Sequence, residues 1–335
     1  MSRPERVAEN LNRALHHLFE HDPRTYLLGE DIADPYGGAF KITRGLSTRF
    51  PQRVLTSPLS EGGIVGVGAG LALMGDTRVV EIMFGDFVAL GFDQLLNFAS
   101  KSVSMYGREV PMRMVVRCPS GGNRGYGPTH SQSLHKHFVG IPRLSLFELS
   151  PFHDATAVFD AMIERGEPCV LFEDKVLYTQ PMYSGGTVDD LFRYEFVEGS
   201  DVARVYVVDE APDWTIIAPG GLTERVLAAA RSLLLERETV CEILIPSRLY
   251  PFDPTPLLGL LARAGGVCVV EDGTADGSWG EHLAQLIHTA LWGRLRQPVR
   301  LVSSARAIIP TAPHLERRVV VQESTIRQAL AEANR

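Results

Sequence analysis

Cys169-Val-Leu-Phe-Glu173 and Val267-Cys-Val-Val-Glu271 carry the strongest structural signal in this chain. Each is a short run, apolar up to a closing carboxylate, without the alternation that marks a half-exposed strand. Strands of this kind are covered on both faces, as in a parallel sheet flanked by helices. Similar runs at Tyr26–Gly29, Val79–Met83, Met112–Arg117, Leu144–Leu149, Thr215–Ala218, Val240–Leu244 and Val319–Val321 read as further strands. Segments of helical period lie between them over Val7–Glu20, Val65–Met74, Val88–Val103, Ala155–Glu164, Thr223–Leu235, Pro256–Ala264 and Gly280–Trp292. Strand and helix in regular alternation predict the α/β class.

The rhythm breaks between about Tyr178 and Asp213, where turn residues and a loose acidic stretch replace helical period. A chain of 335 residues suits two domains, at roughly 100–200 residues each. The expected architecture is therefore two domains, each a mainly parallel sheet flanked by helices: residues 1–185, a linker over 186–208, and residues 209–335.

Hydrophobic residues at 45% and charged residues at 22% allow a large core and exclude a disordered or collagen-like chain. With 33 Lys and Arg against 40 Asp and Glu, the net charge is -7 and no global basic footprint exists. That argues against a nucleic-acid partner. Cys118, Cys169, Cys241 and Cys268 lie in or beside apolar runs and form no C-x-x-C pair, so they read as buried thiols in a reducing compartment. The first residues lack the apolar core of a signal peptide, and no uncharged apolar stretch is long enough to span a bilayer. The expectation is a soluble cytoplasmic protein without a membrane partner.

Several motifs invite chemistry. Gly62-Gly-Ile-Val-Gly-Val-Gly-Ala-Gly-Leu-Ala72 fails as a dinucleotide loop, because G-x-G-x-x-G from Gly66 would need glycine where Leu71 stands. Its small residues more simply let a helix approach another backbone. No G-x-S-x-G elbow occurs, and Glu271-Asp-Gly-Thr-Ala-Asp276 lacks a full calcium-loop pattern. His135 and His137 read as an ordinary helix surface. His130 follows the glycine-rich loop Gly121–Thr129 beyond a strand end, where α/β sheets place their sites. Glu61 stands where a helix begins, and two readings fit it: a ligand-facing carboxylate, or a helix cap provided by Ser60 or Glu61.

Seven strings occur in order along nearly the whole chain: Leu28-Gly-Glu-Asp31, Gly37-Gly-Ala-Phe40, Ser57-Pro-Leu-Ser-Glu61, Glu81-Ile-Met-Phe-Gly-Asp-Phe87, Asp93-Gln94, Gly125-Tyr-Gly-Pro-Thr-His-Ser-Gln132 and Arg248-Leu-Tyr-Pro-Phe-Asp253. Together they resemble the beta subunit of thiamine-diphosphate-dependent 2-oxo acid dehydrogenases, of the pyruvate, branched-chain and acetoin type, in the transketolase-like family. The resemblance implies a thiamine diphosphate pyrimidine-binding domain first and a transketolase C-terminal-type domain second. It implies that Glu61 hydrogen-bonds the pyrimidine ring nitrogen, and a proton shared there favours the imino tautomer of the cofactor. Met83 and Phe87 would pack on the pyrimidine, and His130 would serve the substrate or acyl group. Glu30 and Asp93 match acidic residues between two cofactors, where a proton relay and plain structural hydrogen bonding are both open. Carbonyls near Met162, Ile163, Arg165 and Glu167 match a place where relatives bind a monovalent cation such as K+.

The chain also departs from the family. The usual His-x-Pro-Gly-Leu appears as Gly140-Ile-Pro-Arg143-Leu, and Arg124 adds a cation in the loop before His130. Arg124, Gln132 and Arg143 are candidates for substrate or acceptor recognition, with solvated surface arginines as the alternative. Family diphosphate sites carry Gly-Asp-Gly, but here only Gly75-Asp-Thr and Gly85-Asp-Phe occur. The resemblance thus implies an alpha-type partner holding the diphosphate and Mg2+ half, in an α2β2 assembly. Three functions are open at this stage. The first is decarboxylation of a 2-oxo acid with acyl transfer to the lipoyl group of an acyltransferase. The second is transfer of a ketol or acyl unit from a phosphoketose to a carrier-protein thiol, and the third is a non-catalytic scaffold.

Overall fold

The computed structural model describes residues 3–332. Helices run in the order α1 (Val7–His21), α2 (Leu46–Arg49), α3 (Glu61–Leu73), α4 (Ser100–Ser102), α5 (Ala155–Glu164), α6 (Thr223–Arg237), α7 (Leu258–Arg263), α8 (Trp279–Ala290), α9 (Pro313–Glu316) and α10 (Glu323–Glu332). Two compact units form. One contains the residues up to 121 with 137–182, the other 122–136 with the residues from 183 onward.

In the first unit, β1 (Thr25–Gly29), β2 (Val54–Thr56), β3 (Thr77–Glu81), β4 (Met114–Ser120), β5 (Ser145–Glu148) and β6 (Cys169–Asp174) pair in the order β5-β6-β4-β3-β1-β2. Every one of these pairings is parallel. Burial on both faces explains the apolar runs. Val79 of β3 joins a core with Leu11, Leu15 and Phe19 of α1 and Val158 and Phe159 of α5, while its neighbour Val80 meets α3, where a Cβ on Gly68 would lie 2.7 Å from the Val80 side chain. Helix α1 presents Val7, Leu11, Ala14, Leu15, Leu18 and Phe19 as one buried stripe. The Glu9 carboxylate accepts the Arg6 N–H at 2.9 Å, and this closes its first turn.

The small-residue helix behaves as expected at Gly62 and Gly68 but not along its whole length. A Cβ on Gly62 would sit 3.1 Å from the Leu90 carbonyl, whereas one on Gly70 would meet nothing within 4 Å. The segment predicted as a helix over Val88–Val103 is instead a 3-10 turn (Gly85–Gly91), a π-helix (Gln94–Ala99) and α4. Its close approach to α3 accounts for the irregularity, since a Cβ on Gly91 would lie 2.9 Å from Val65.

In the second unit, β7 (Arg193–Phe196), β8 (Val202–Tyr206), β9 (Trp214–Ile217), β10 (Cys241–Pro246), the short β11 (Arg248–Tyr250), β12 (Gly266–Thr274) and β13 (Arg300–Ser304) follow one another. Six of them form a sheet in the order β13-β12-β9-β10-β8-β7. The β12, β9 and β10 ladders are parallel, and β8 and β7 add antiparallel to the edge. The expected linker over 186–208 therefore contains two strands. Its charges concealed them: the Arg204 guanidinium is buried and bonds Glu242 at 2.6 Å, Glu195 at 2.7 Å and Asp209 at 2.6 Å. Acidic residues that look like a solvated linker neutralise one cation in the sheet. The run Val319–Val321 is not a strand. It is buried against its own unit, with the Val321 N–H on the Asp272 carboxylate at 3.0 Å, and the mixed Arg300–Ser304 takes the sheet edge.

The four cysteines are buried and unpaired. Burial pushes the Cys241 and Cys268 thiols up to about 12, so they are inert hydrophobes. Among the described residues, no helix is long and apolar enough to cross a membrane.

Candidate functional site

Strands β3, β1 and β2 are neighbours and point the same way, so the residues after their carboxyl ends share one edge of the first unit. Glu30 follows β1, the Ser57–Glu61 turn follows β2, and Met83 and Phe87 follow β3. This is the edge at which open α/β sheets bind ligands. The turn is tied back to the sheet by the Ser57 N–H on the Gly29 carbonyl at 2.9 Å. Glu61 is the first residue of α3, and the residue is only 4% exposed. Ser60 makes no side-chain cap bond, and the Glu61 carboxylate accepts no hydrogen bond among the described residues. The Glu61 oxygens are not among the fully buried unpartnered atoms, so the carboxylate keeps a little contact with the open edge and is free to take a donor there. Ser60 thus does not cap the helix through its side chain, and the Glu61 carboxylate is left without a partner of its own among the described residues.

Glu30 lies beside it. Its carboxylate accepts the Ser60 N–H at 3.3 Å, and burial together with the neighbouring Glu61 charge raises its pKa. A raised folded-state pKa means that the folded protein gains stability from protonating Glu30 and loses that gain as pH rises through the folded pKa. Glu30→Gln is therefore expected to raise the urea midpoint at neutral pH. The difference should vanish below the ordinary carboxylate value of 4.5. An unchanged midpoint at pH 7 would count against the coupling of the two carboxylates.

Phe87 and Met83 are half-buried, and Phe87 meets Phe84 edge-on with ring centroids 6.4 Å apart. Asp93 does not share this burial. In the single chain it is exposed and accepts the Asn97 amide at 2.7 Å, a hydrogen bond of the structural kind.

The edge is held by charges that the sequence reading did not single out. Arg117 of β4 is fully buried and bonds Glu81 at 2.6 Å and Glu173 at 2.7 and 2.9 Å. Tyr178 donates to Glu173 at 2.7 Å, and Glu81 also accepts the Ala39 N–H at 2.8 Å. Burial opposes the Arg117 charge, but the two carboxylates outweigh it and its pKa is raised. For Glu81 burial wins, and its pKa is raised as well. The network clamps the Gly37–Lys41 loop, whose Gly38 (φ 75°) leaves no room for a Cβ beside Glu81 Oε1. The available signal was a lone arginine inside an otherwise apolar strand.

Arg124, His130 and Gln132 lie on the segment 122–136, which packs with the second unit rather than with the sheet it leaves. His130 is half-buried, with Nδ1 2.9 Å from the Thr129 hydroxyl, while Arg124 and Gln132 are exposed. His135 and His137 sit on a 3-10 turn, not a helix. His135 is buried, which corrects the surface reading.

Arg143 lies at the opposite, amino edge of the first unit's sheet. It lines a cavity of about 460 Å³ together with Arg113 and Arg165 and the acids Asp22, Glu109 and Glu164. It bonds Glu109 at 3.0 Å and holds φ at 58°, the left-handed region where the family pattern has glycine. Placed there, Arg143 is not part of the carboxyl-edge group. Three of the four carbonyls expected around a monovalent cation have neighbours of their own. Those of Met162 and Glu167 face the Cys169 thiol at 3.6 and 3.5 Å, and that of Ile163 accepts the Gly166 N–H at 3.1 Å. The positive charge in this loop is the Arg165 guanidinium, bonded to Glu167 at 2.6 Å and to Ser145 at 2.7 Å.

Comparison with known proteins matches residues 6–181 to the transketolase pyrimidine binding domain and residues 203–326 to the transketolase C-terminal domain. The pyruvate dehydrogenase E1 component subunit beta of Leifsonia xyli subsp. xyli (strain CTCB07) is 31% identical over 91% of this chain and 88% of its own. The 2-oxoisovalerate dehydrogenase subunit beta of Bacillus subtilis (strain 168) is 30% identical over 96% of both. The acetoin:2,6-dichlorophenolindophenol oxidoreductase subunit beta of the same organism is 28% identical over 94% of this chain and 93% of its own. Among solved structures, a split gene transketolase, an inactive beta4 tetramer, superposes with a TM-score of 0.72 over 97% of this chain and 96% of its own at 18% identity, a likeness of fold. Glu61, Met83 and Phe87 thus fall within the matched pyrimidine-binding domain, and the chain belongs to the transketolase-like family, among the beta subunits of thiamine-diphosphate-dependent 2-oxo acid dehydrogenase E1 components.

Proposed function

We propose that this chain is the beta subunit of a 2-oxo acid dehydrogenase-like enzyme that, with an alpha-type partner, decarboxylates a 2-oxo acid and passes the acyl unit to a lipoyl acceptor. The observation that carries this reading is Glu61, a buried carboxylate at the carboxyl edge with no protein donor among the described residues and a second carboxylate beside it. Thiamine diphosphate fits that need, because its pyrimidine offers a protonatable ring nitrogen, and when bound it supplies a nucleophilic carbon and an electron sink. Glu61 then holds a proton at that nitrogen, and burial strengthens the interaction. Met83 and Phe87 give a flat ring an apolar, half-buried neighbour. His130 is the chain's candidate for proton transfer near neutral pH.

The diphosphate and Mg2+ are assigned to the alpha-type partner. Asp86, in the string nearest to a diphosphate motif, is buried in the 3-10 turn and poorly placed for a solvated metal. The alternative of a phosphoketose donor drew on Arg124 and Arg143; the amino-edge place of Arg143 leaves it resting on Arg124 alone.

The test is reconstitution with the alpha partner, thiamine diphosphate and Mg2+, with pyruvate, branched-chain 2-oxo acids and ketose phosphates as donors and lipoyl domain or carrier protein as acceptor. Decarboxylation of a 2-oxo acid that requires both chains is the expected result. Turnover only of ketose phosphates, or no cofactor binding by the assembled pair, would sink the reading.

A further inference from the structure

We propose that Glu316 is a positioning residue for His130, acting through the backbone of the loop that carries it. The proposal rests on the reading of His130 as a functional histidine. The loop between Gly121 and His137 has no helix or strand of its own before the 3-10 turn at His135–His137, so its shape must come from what it touches. What it touches at its start is a buried carboxylate. Glu316, the last residue of α9, is 1% exposed, and its two oxygens accept the Asn123 N–H at 2.9 Å and the Gly125 N–H at 3.0 Å.

The backbone conformation shows why a carboxylate is suited to this. Asn123 (φ 65°) and Gly125 (φ 71°) both take left-handed backbone, which turns their N–H groups toward one centre. Such a nest of amides binds an anion, and here the anion belongs to the protein. Hydrogen bonds to an ionised acceptor are roughly twice as strong as neutral ones. The turn is closed from other sides too. The Gln322 amide donates to the Asn123 side chain at 3.0 Å, and a Cβ on Gly127 would lie 2.5 Å from the Thr311 hydroxyl. Gly127 in turn accepts the His130 N–H at 3.4 Å, which links the anchored turn to the histidine.

The far end is fixed by the opposite charge. Lys136 Nζ donates to the carbonyls of Thr274 at 3.1 Å, Ala275 at 3.3 Å and Asp276 at 3.1 Å, and to the Thr274 hydroxyl at 2.9 Å, at the end of β12. His130 thus sits on a strap whose two ends are bound to the second unit by one buried carboxylate and one ammonium. Neither anchor lies in a string that carried the family resemblance.

The experiment uses the full chain assembled with its alpha partner. Glu316→Gln offers one acceptor oxygen and one amide donor where two acceptors are needed, so one backbone N–H loses its partner. Hydrogen exchange over residues 122–130 is expected to quicken, and kcat to fall by about 10–100-fold, the scale of a misplacement of about 1 Å. Thiamine diphosphate affinity should stay unchanged, because Glu61 is untouched. Glu316→Asp, which keeps both acceptors, should recover part of the loss. If the Gln variant does not assemble, Lys136→Met releases the other end and should quicken exchange over residues 130–136 with the same kcat signature. Unchanged exchange overturns the anchor. Quickened exchange with full kcat, in an enzyme that His130→Ala inactivates, overturns the positioning role. If His130→Ala itself keeps full turnover, the reading of His130 is what fails, and the positioning role falls with it.

Discussion

Glu61→Gln is expected to leave thiamine diphosphate bound to the assembled enzyme and to lower turnover by about 10²–10⁴-fold, the range that a positioned proton-transfer group contributes. The substitution is nearly isosteric, so packing at the start of α3 is kept. What is lost is the negative charge. Glu61 is buried and free of protein donors among the described residues, so on the proposed reading that charge would hold a proton on the ligand. A glutamine oxygen still accepts a hydrogen bond but does not favour the protonated ring nitrogen to the same degree. Calorimetry of cofactor binding beside steady-state turnover separates the two effects. Full turnover in the variant, or loss of binding in proportion to loss of rate, would remove Glu61 from the role proposed for it.

Arg117→Leu is expected to cost about 3–5 kcal/mol, because it leaves Glu81 and Glu173 buried without their counter-charge. Against a total stability of about 5–15 kcal/mol, that loss should prevent accumulation of folded chain at 37 °C. The deficit has a pH signature. Burial already raises the Glu81 pKa in the wild type, and without Arg117 it rises further. A group with a raised folded-state pKa supports the fold when protonated and costs stability as pH rises through that value. The variant should therefore recover toward acid, and the triple change with Glu81→Gln and Glu173→Gln should recover at neutral pH as well. A wild-type urea midpoint for Arg117→Leu at pH 7 would show that the network contributes nothing. The Gly37–Lys41 loop is expected to loosen along with the stability, since Glu81 also holds the Ala39 N–H.

Much of the first unit was legible because its chemistry is local. A run such as Cys169–Glu173 has to be a covered strand whatever surrounds it, and β6 spans it. Glu61 was legible because a turn followed by small apolar residues must start a helix, and the first residue of that helix is where a carboxylate meets an open edge. The edge strands β7 and β13, and β8 beside β7, were not legible. Strands near the edge alternate weakly, and β8 carries a charge whose buried partner is distant in sequence, as Arg204 and Glu242 are.

The order of the residues thus determined most of the strands and helices of the first unit, and the strings that place the chain in its family. These follow from periodicity and short strings, and neighbours along the chain are enough to establish them. Only the tertiary structure settled that Arg143 lies at the amino edge while Glu30, Glu61, Met83 and Phe87 share the carboxyl edge. It alone shows that Arg117 is neutralised from two other strands or their ends, and that the His130 loop is held by Glu316 and Lys136. The physical reason is the same in each case. A buried charge is tolerable only where its partners converge, and convergence across tens to hundreds of residues is a property of the folded chain.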